Sequence, residues 1–151
     1  MSSKEKRIGL VGVGRMGANM ARNLKDKGYQ VSCVNDLAKD VACGLAEELG
    51  CSHAETLAEV TAHSDVVLTV VTNDAAMEAI FFGEGDNLFA NSSGKLFINC
   101  ATLSPAMHVK LEGAAAQNGC QTLEGCMASS ITQAREGTLY LMIGGKQEVF
   151  E

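Results

Sequence analysis

Three glycines in the run Gly12-Val13-Gly14-Arg15-Met16-Gly17 constrain this chain more than any other feature. With 16 glycines in 151 residues the spacing alone carries little weight, so its surroundings decide. It directly follows an apolar, strand-like run over residues 7–12. It also opens a helical pattern in which Met16, Met20 and Leu24 recur every four residues. A strand, a glycine-rich turn and a helix in that order form the first half of a βαβ unit that binds the pyrophosphate of a dinucleotide. Gly12 permits the tight turn, Gly14 leaves out the side chain that would block a phosphate, and Gly17 lets the helix pack closely on the strand. The helix N-terminus then offers unpaired N–H groups and a partial positive charge. Such a site needs a ribose-recognising group near the end of the second strand. Asn35 and Asp36 stand there, 18 and 19 residues past Gly17. An ionised Asp36 accepts bonds from ribose hydroxyls and repels a 2′-phosphate. No arginine follows within ten residues, although Lys39 is close, so NAD is favoured over NADP. The competing role for Asp36 is to cap the helix that follows.

The rest of the chain alternates β-rich and helical stretches. This predicts an α/β fold of Rossmann type: a doubly wound, mainly parallel sheet with helices on both faces. Strands are expected at residues 30–35, 51–53, 65–71, 95–100, 121–123 and 138–143. A helix is expected over 37–49, with Leu37, Val41, Leu45 and Leu49 on its buried face. Others span 57–62, 73–81 with Asn73 as cap, and 105–118, where Ser104 caps and Pro105 takes the first helical position. Gly28, Gly50 and Gly119 are placed to end helices. Residues 147–151 read as the opening turns of a further helix. The expected division is a dinucleotide-binding domain over 1–145, with 146–151 leading towards a helical C-terminal domain absent from this chain.

A formal charge of −6 gives no basic field for a nucleic acid, and none is expected as a partner. No apolar stretch exceeds strand length, so no membrane span is expected, and residues 1–6 do not read as a signal peptide. None of the six cysteines (33, 43, 51, 100, 120 and 126) pairs at the spacing of a zinc knuckle or redox dithiol. They are expected to be reduced, small hydrophobes in a cytoplasmic protein, and no metal site is expected.

The opening, from Ile8 through Gly17 to Leu24, resembles the β-hydroxyacid dehydrogenase family, whose pattern there is GxGxMGxxMAxNL. That family includes 3-hydroxyisobutyrate dehydrogenases and glyoxylate or tartronate semialdehyde reductases. Supporting blocks are Thr69-Val70-Val71-Thr72-Asn73, Phe97 through Pro105, and Gly137-Thr138-Leu139 leading to Met142-Ile143-Gly144-Gly145. The resemblance implies that Gly12, Val13, Gly14, Arg15, Met16 and Gly17 contact the cofactor, with Val71 and Thr72 at the tip of the fourth strand. Met16 and Met20 also suit the core. Thr102 would lie beside nicotinamide or substrate, the alternative being a plain strand-end residue. The chain departs from the family at Asn99, usually acidic, and at Ala101, usually serine. The substrate block, commonly DAPVSGG, appears as Glu124-Gly125-Cys126-Met127-Ala128-Ser129-Ser130. Backbone N–H groups near Ala128, Ser129 and Ser130 would hold a substrate carboxylate if that loop keeps its shape.

By the same resemblance the reaction is reversible hydride transfer between nicotinamide and a small hydroxy acid or its semialdehyde or keto form. The family's catalytic lysine belongs to the missing helical domain, so no catalytic residue is expected in this chain. Lys146 does not replace it. His53, His63 and His108 have no carboxylate orienter evident in sequence and are read as structural. The complete enzyme is expected to be a homo-oligomer. The competing reading is a non-catalytic dinucleotide-binding or sensor module.

Overall fold

A computed structural model describes residues 2–151. Apolar runs rich in β-branched residues alternate with capped helices, giving β1 (Arg7–Val11), α1 (Arg15–Asp26), β2 (Gln30–Asn35), α2 (Lys39–Leu49), β3 (Ser52–His53), α3 (Leu57–Ala62) and β4 (Val66–Thr69). There follow α4 (Asp74–Phe82), β5 (Leu96–Asn99), α5 (Pro105–Gln117), β6 (Gln121–Met127), α6 (Ile131–Glu136), β7 (Leu141–Gly144) and α7 (Gln147–Phe150). The sheet order is β3-β2-β1-β4-β5-β6-β7. All neighbours run parallel except β6 and β7, which pair antiparallel with Cys126 opposite Met142. The chain therefore winds outward in both directions from β1 and β4. The crevice beyond their carboxyl ends is the topological switch point where such sheets bind ligands.

The two faces of the sheet bury separate apolar clusters, which is why the central strands read as nearly continuous hydrophobic runs. Ile8, Leu10, Val34 and Leu68 meet Met20 and Ala21 of α1, Ala42, Leu45, Ala46 and Leu49 of α2, and Ala134 of α6. On the other face Val11, Cys33, Val67 and Phe97 meet Val60 of α3, Met77 and Phe81 of α4, and Leu111 and Ala115 of α5. Phe81 also lies 5.2 Å edge-on from Phe97 and 4.9 Å from Phe89, fixing the long loop after α4.

Three local expectations need correction. Helix α2 begins at Lys39, so Leu37 is fully exposed before it and Val41 points to solvent at 49%. Asp36 accepts a 2.8 Å bond from the Ala38 N–H, which turns the chain before the helix can start. The face it buries is Ala42, Leu45, Ala46 and Leu49, and the alanines permit a close approach to the sheet. Strand β6 runs on past Leu123 to Met127, and β7 begins at Leu141 rather than residue 138. Between them lies the unexpected α6, opened by a capping box in which the Ser130 hydroxyl accepts from Gln133 N–H and the Gln133 side chain accepts from Ser130 N–H. Arg135 of α6 pairs with Asp26 at 2.7 Å, and the Asn23 side chain donates to the Arg135 carbonyl, clamping α6 to α1. The helices after β1, β2 and β5 stop at Gly28, Gly50 and Gly119 as expected. Among the described residues no helix is long and apolar enough to cross a membrane.

Candidate functional site

Strand β1 delivers the chain into the switch-point crevice at Gly12, whose φ of +89° is a left-handed conformation that an L side chain rarely adopts. Its N–H donates to the Asn35 carbonyl at 2.9 Å. A Cβ there would overlap the Val70 carbonyl oxygen of the neighbouring strand end. The next N–H, of buried Val13, donates to Asp36 Oδ2 at 2.8 Å. The glycine loop is thus held from the ends of β2 and β4. Gly14 is the N-cap of α1, with no side-chain cap and no acidic residue in the first turn. The N–H groups of Arg15, Met16 and Gly17 have no carbonyl one turn earlier to accept from them. Arg15, exposed at this end, adds positive charge where a helix dipole already disfavours a cation. This is an arrangement for an anion. A Cβ on Gly14 would meet nothing within 4 Å, so its open side faces the space that a phosphate needs.

That space is a cavity of about 560 Å³ lined by Gly12, Gly14, Asn35, Asp36, Val71 and Thr72. Its walls come from residues not assigned to the cofactor in sequence: Leu37, Lys39, His53, Glu55 and Leu57, then Ala76, Ala79 and Ile80 of α4, with Asp86 beside them. The α4 residues recur at helical spacing behind the Asn73 cap, where Asn73 Oδ1 accepts from Ala76 N–H at 2.9 Å, so that face was findable from sequence. Leu37, Leu57, Ala76, Ala79 and Ile80 make these walls partly apolar, and Asp36, Lys39, Glu55 and Asp86 supply the charged groups. Lys39 pairs with Glu55 at 2.6 Å and His53 lies 3.7 Å from the same carboxylate. Lys39 holds the Glu55 carboxyl below its usual range. The Asp86 carboxylate accepts from Leu57 and Ala58 N–H at the start of α3. Both oxygens of Asp36 are engaged, by Val13 and Ala38 N–H, yet each keeps a second lone pair. Asn35 is turned away, its amide donating to the Ala54 carbonyl at 2.9 Å. Of that pair, both of which line the cavity, Asp36 brings the charged group.

The other sequence candidates separate from this group. Met16 is half-buried against the core below the loop, and Gly17 is buried where α1 crosses β1. Thr102 is exposed after β5 and does not line the large cavity. Near it the Asp74 carboxylate accepts from Ser104 N–H at 3.0 Å and Ser104 Oγ at 2.6 Å. These bonds tie the start of α4 to the start of α5 and depress the Asp74 pKa. Asn99, the departure from the family's acid, is buried and accepts the Thr69 hydroxyl at 2.8 Å, so its neutral amide avoids a buried charge. In the altered substrate block, residues 124–127 belong to strand β6 rather than a loop. Ala128 N–H donates to the Tyr140 carbonyl, Ser129 Oγ accepts from Tyr140 N–H at 2.7 Å, and Ser130 N–H is taken by Gln133. A carboxylate held here would have to displace that capping bond or use the N–H of Ser129. Two histidines do have carboxylate neighbours, against expectation: His53 beside Glu55, and His108 with Nε2 3.4 Å from Glu124 Oε1. Neither partner was evident from local spacing in the case of His108, because Glu124 lies on the next strand.

A protein-family model, that of the NAD binding domain of 6-phosphogluconate dehydrogenase, matches residues 7–151. The chain is 30% identical over 148 residues to the 2-(hydroxymethyl)glutarate dehydrogenase of Eubacterium barkeri, covering 98% of this chain and 48% of that protein. It is 33% identical over 144 residues to the 3-hydroxyisobutyrate dehydrogenase of Pseudomonas aeruginosa, covering 95% of this chain and 47% of that one. The solved 3-hydroxyisobutyrate dehydrogenase of Mycobacterium tuberculosis, in a structure with L-serine, superposes with a TM-score of 0.86 at 27% identity, covering 96% of this chain and 48% of that chain. The chain thus spans about half the length of the relatives it matches.

Proposed function

We propose a function on one premise: the chain belongs to the β-hydroxyacid dehydrogenase family, as its N-terminal NAD-binding domain. It is the cofactor-holding half of an oxidoreductase that moves a hydride between nicotinamide and a small hydroxy acid or its semialdehyde or keto form. The observation that carries this reading is the uncapped start of α1, set over Gly14 and opening into the 560 Å³ cavity. The residues present fit the cofactor. Gly12, Gly14 and the first-turn N–H groups would hold the pyrophosphate, with Val13 and Gly17 shaping the loop. Asp36 would take the adenosine ribose, the Leu37–Ile80 side the adenine, and Val71 and Thr72 the path towards nicotinamide. When bound, nicotinamide supplies the hydride donor or acceptor, and the chain's own task is to bind and orient it. Titration with NADH, followed by its fluorescence, tests the assignment. Saturable binding is expected, and a chain that leaves NADH fluorescence unchanged would sink it.

NAD is the preferred form in this reading. Asp36, Glu55 and Asp86 all border the cavity, against Lys39, which Glu55 already neutralises, and His53. A 2′-phosphate would add charge beside Asp36, at a cost on the order of 1 kcal/mol or more at solvent-like screening. Asp36→Ala is therefore expected to raise NADPH affinity relative to NADH by roughly tenfold, 1.4 kcal/mol being a factor of ten. Asp36→Asn, which removes the charge and keeps one acceptor oxygen for either Val13 or Ala38 N–H but not both, should shift the ratio in the same direction. If competitive titrations show the same ratio in all three proteins, Asp36 only fastens the loop.

The substrate reading is coarser. Thr102 and the segment 128–130 would face a small carboxylate-bearing substrate, and proton transfer would fall to a lysine in the helical domain that relatives of twice this length would carry. Exposed Tyr140, Leu141, Met142, Ile143 and Phe150 supply apolar surface for such a domain. A homo-oligomer and a reducing, cytoplasmic compartment complete the proposal, and for the compartment the six free cysteines are the support.

A further inference from the structure

On the far side of β5 from the dinucleotide cavity, α5 packs over β6 and encloses a second cavity of about 220 Å³. It is lined by Asn99, His108, Glu112, Glu124, Gly144 and Gly145 among others, and no lysine or arginine borders it. His108 on α5 and Glu124 on β6 line it, and together with Cys126 on β6 they offer one donor atom each, all within 4.8 Å of one another. The His108 side chain is only 12% exposed, and its Nε2 is buried without a hydrogen-bond partner. An unpartnered buried nitrogen is costly and calls for a ligand. Gly144 stands opposite, where a Cβ would come within 2.9 Å of Glu124 Oε2, so the glycine leaves the carboxylate its room.

We propose that His108, Glu124 and Cys126 form a binding site for a borderline-soft divalent metal ion of the zinc class, with the fourth coordination position open to the 220 Å³ cavity. The donor set mixes imidazole, carboxylate and thiolate, which suits zinc or cobalt and not magnesium or calcium. The spacing agrees with this. A tetrahedral ion with ligand bonds of about 2.0–2.3 Å puts its donors roughly 3.3–3.8 Å apart. Glu124 Oε1 lies 3.4 Å from His108 Nε2, inside that range, and 3.2 Å from Cys126 Sγ, slightly under it, so a small outward shift of the thiol makes room for the ion. Without an ion, the single S–H of Cys126 donates either to Glu124 Oε1 at 3.2 Å or to the Ala101 carbonyl at 3.7 Å. Metal binding replaces that proton: the S–H bond breaks, a metal–sulfur bond forms, and the proton leaves to solvent. Local spacing could not suggest this set, because its members sit on two elements that only tertiary packing joins.

Cobalt(II) titration of the 151-residue chain provides the test. One equivalent is expected to produce visible d–d bands and a near-ultraviolet thiolate-to-cobalt band, and zinc should displace both. Loss of a supporting partner around a metal already costs 10–100-fold in affinity, so loss of a ligand in His108→Ala or Glu124→Gln should cost about a hundredfold or more. The near-isosteric Cys126→Ser, which serves if His108→Ala fails to melt cooperatively, should lose the thiolate band. The double variant Cys43→Ala/Cys51→Ala, at the other partly exposed thiols, should bind as the parent does. Absence of both bands in the parent chain overturns the proposal. So does a thiolate band that survives Cys126→Ser or vanishes in the Cys43/Cys51 variant.

Discussion

Gly14→Val is expected to give a folded protein that no longer binds NADH. The backbone at Gly14 has φ −66°, which valine can adopt, and an added Cβ meets no protein atom within 4 Å. The fold therefore loses little. The cost is limited to a poorer N-cap residue, about 1 kcal/mol at most. The ligand loses far more, because the valine methyl groups fill the volume through which a pyrophosphate reaches the N–H groups at the start of α1. Hydrogen bonds to a charged partner contribute about 1.5–3 kcal/mol each, so losing two weakens binding by at least about a hundredfold. Fluorescence titration beside a thermal melt separates the two effects. Near-parental melting with no NADH binding is the expected pair of results. A folded variant with unchanged affinity would move the pyrophosphate away from Gly14, and with it the assignment of the whole cavity.

What could be read from the sequence was what local chemistry determines. The strand over residues 30–35, the Asn73 and Ser104 caps and the glycine loop depend on residues adjacent in the chain, and each appears where expected. The buried face of α2 was misread because hydrophobicity at Leu37 and Val41 signals burial only inside the helix, and the Asp36–Ala38 turn delays the helix start. Helix α6 carried its own signal, Ser130 three residues before Gln133, but a segment compared with a family loop hid it. Asp36 was legible as a carboxylate in the right place. Its bond from Val13 was not, since Val13 lies 23 positions away and approaches only when β1 and β2 pair, whereas the bond from Ala38, two residues on, is local. The same limit applies to His108 and Glu124, which meet through the packing of α5 on β6. The glycine loop and the ends of β2 and β4 at the first cavity were thus readable, and its side walls and the second cavity were not.

Gly17→Ala should do the reverse of Gly14→Val and damage the fold before it touches the ligand. Alanine inside a helix normally stabilises by up to about 1 kcal/mol over glycine, through reduced freedom of the unfolded chain. At position 17 the new methyl would overlap the Gly12 carbonyl oxygen and crowd its carbon at 3.1 Å, with Val70 Cβ in ordinary contact at 3.5 Å. The overlapped atom is backbone in a turn already fixed by Asn35 and Asp36, so it cannot swing aside as a side-chain tip would. Overpacking of this kind costs about 1–3 kcal/mol, and displacement of the turn brings the net loss to the upper end of that range. For a chain of this length that lowers the melting temperature by roughly 5–10 °C. Gly44→Ala, in α2 with nothing within 4 Å of its added methyl, is the matched control and should melt slightly higher than the parent. If Gly17→Ala melts with the control rather than below the parent, α1 does not need glycine to lie against the β1 turn. The third glycine of the loop would then owe its place to the ligand rather than to packing.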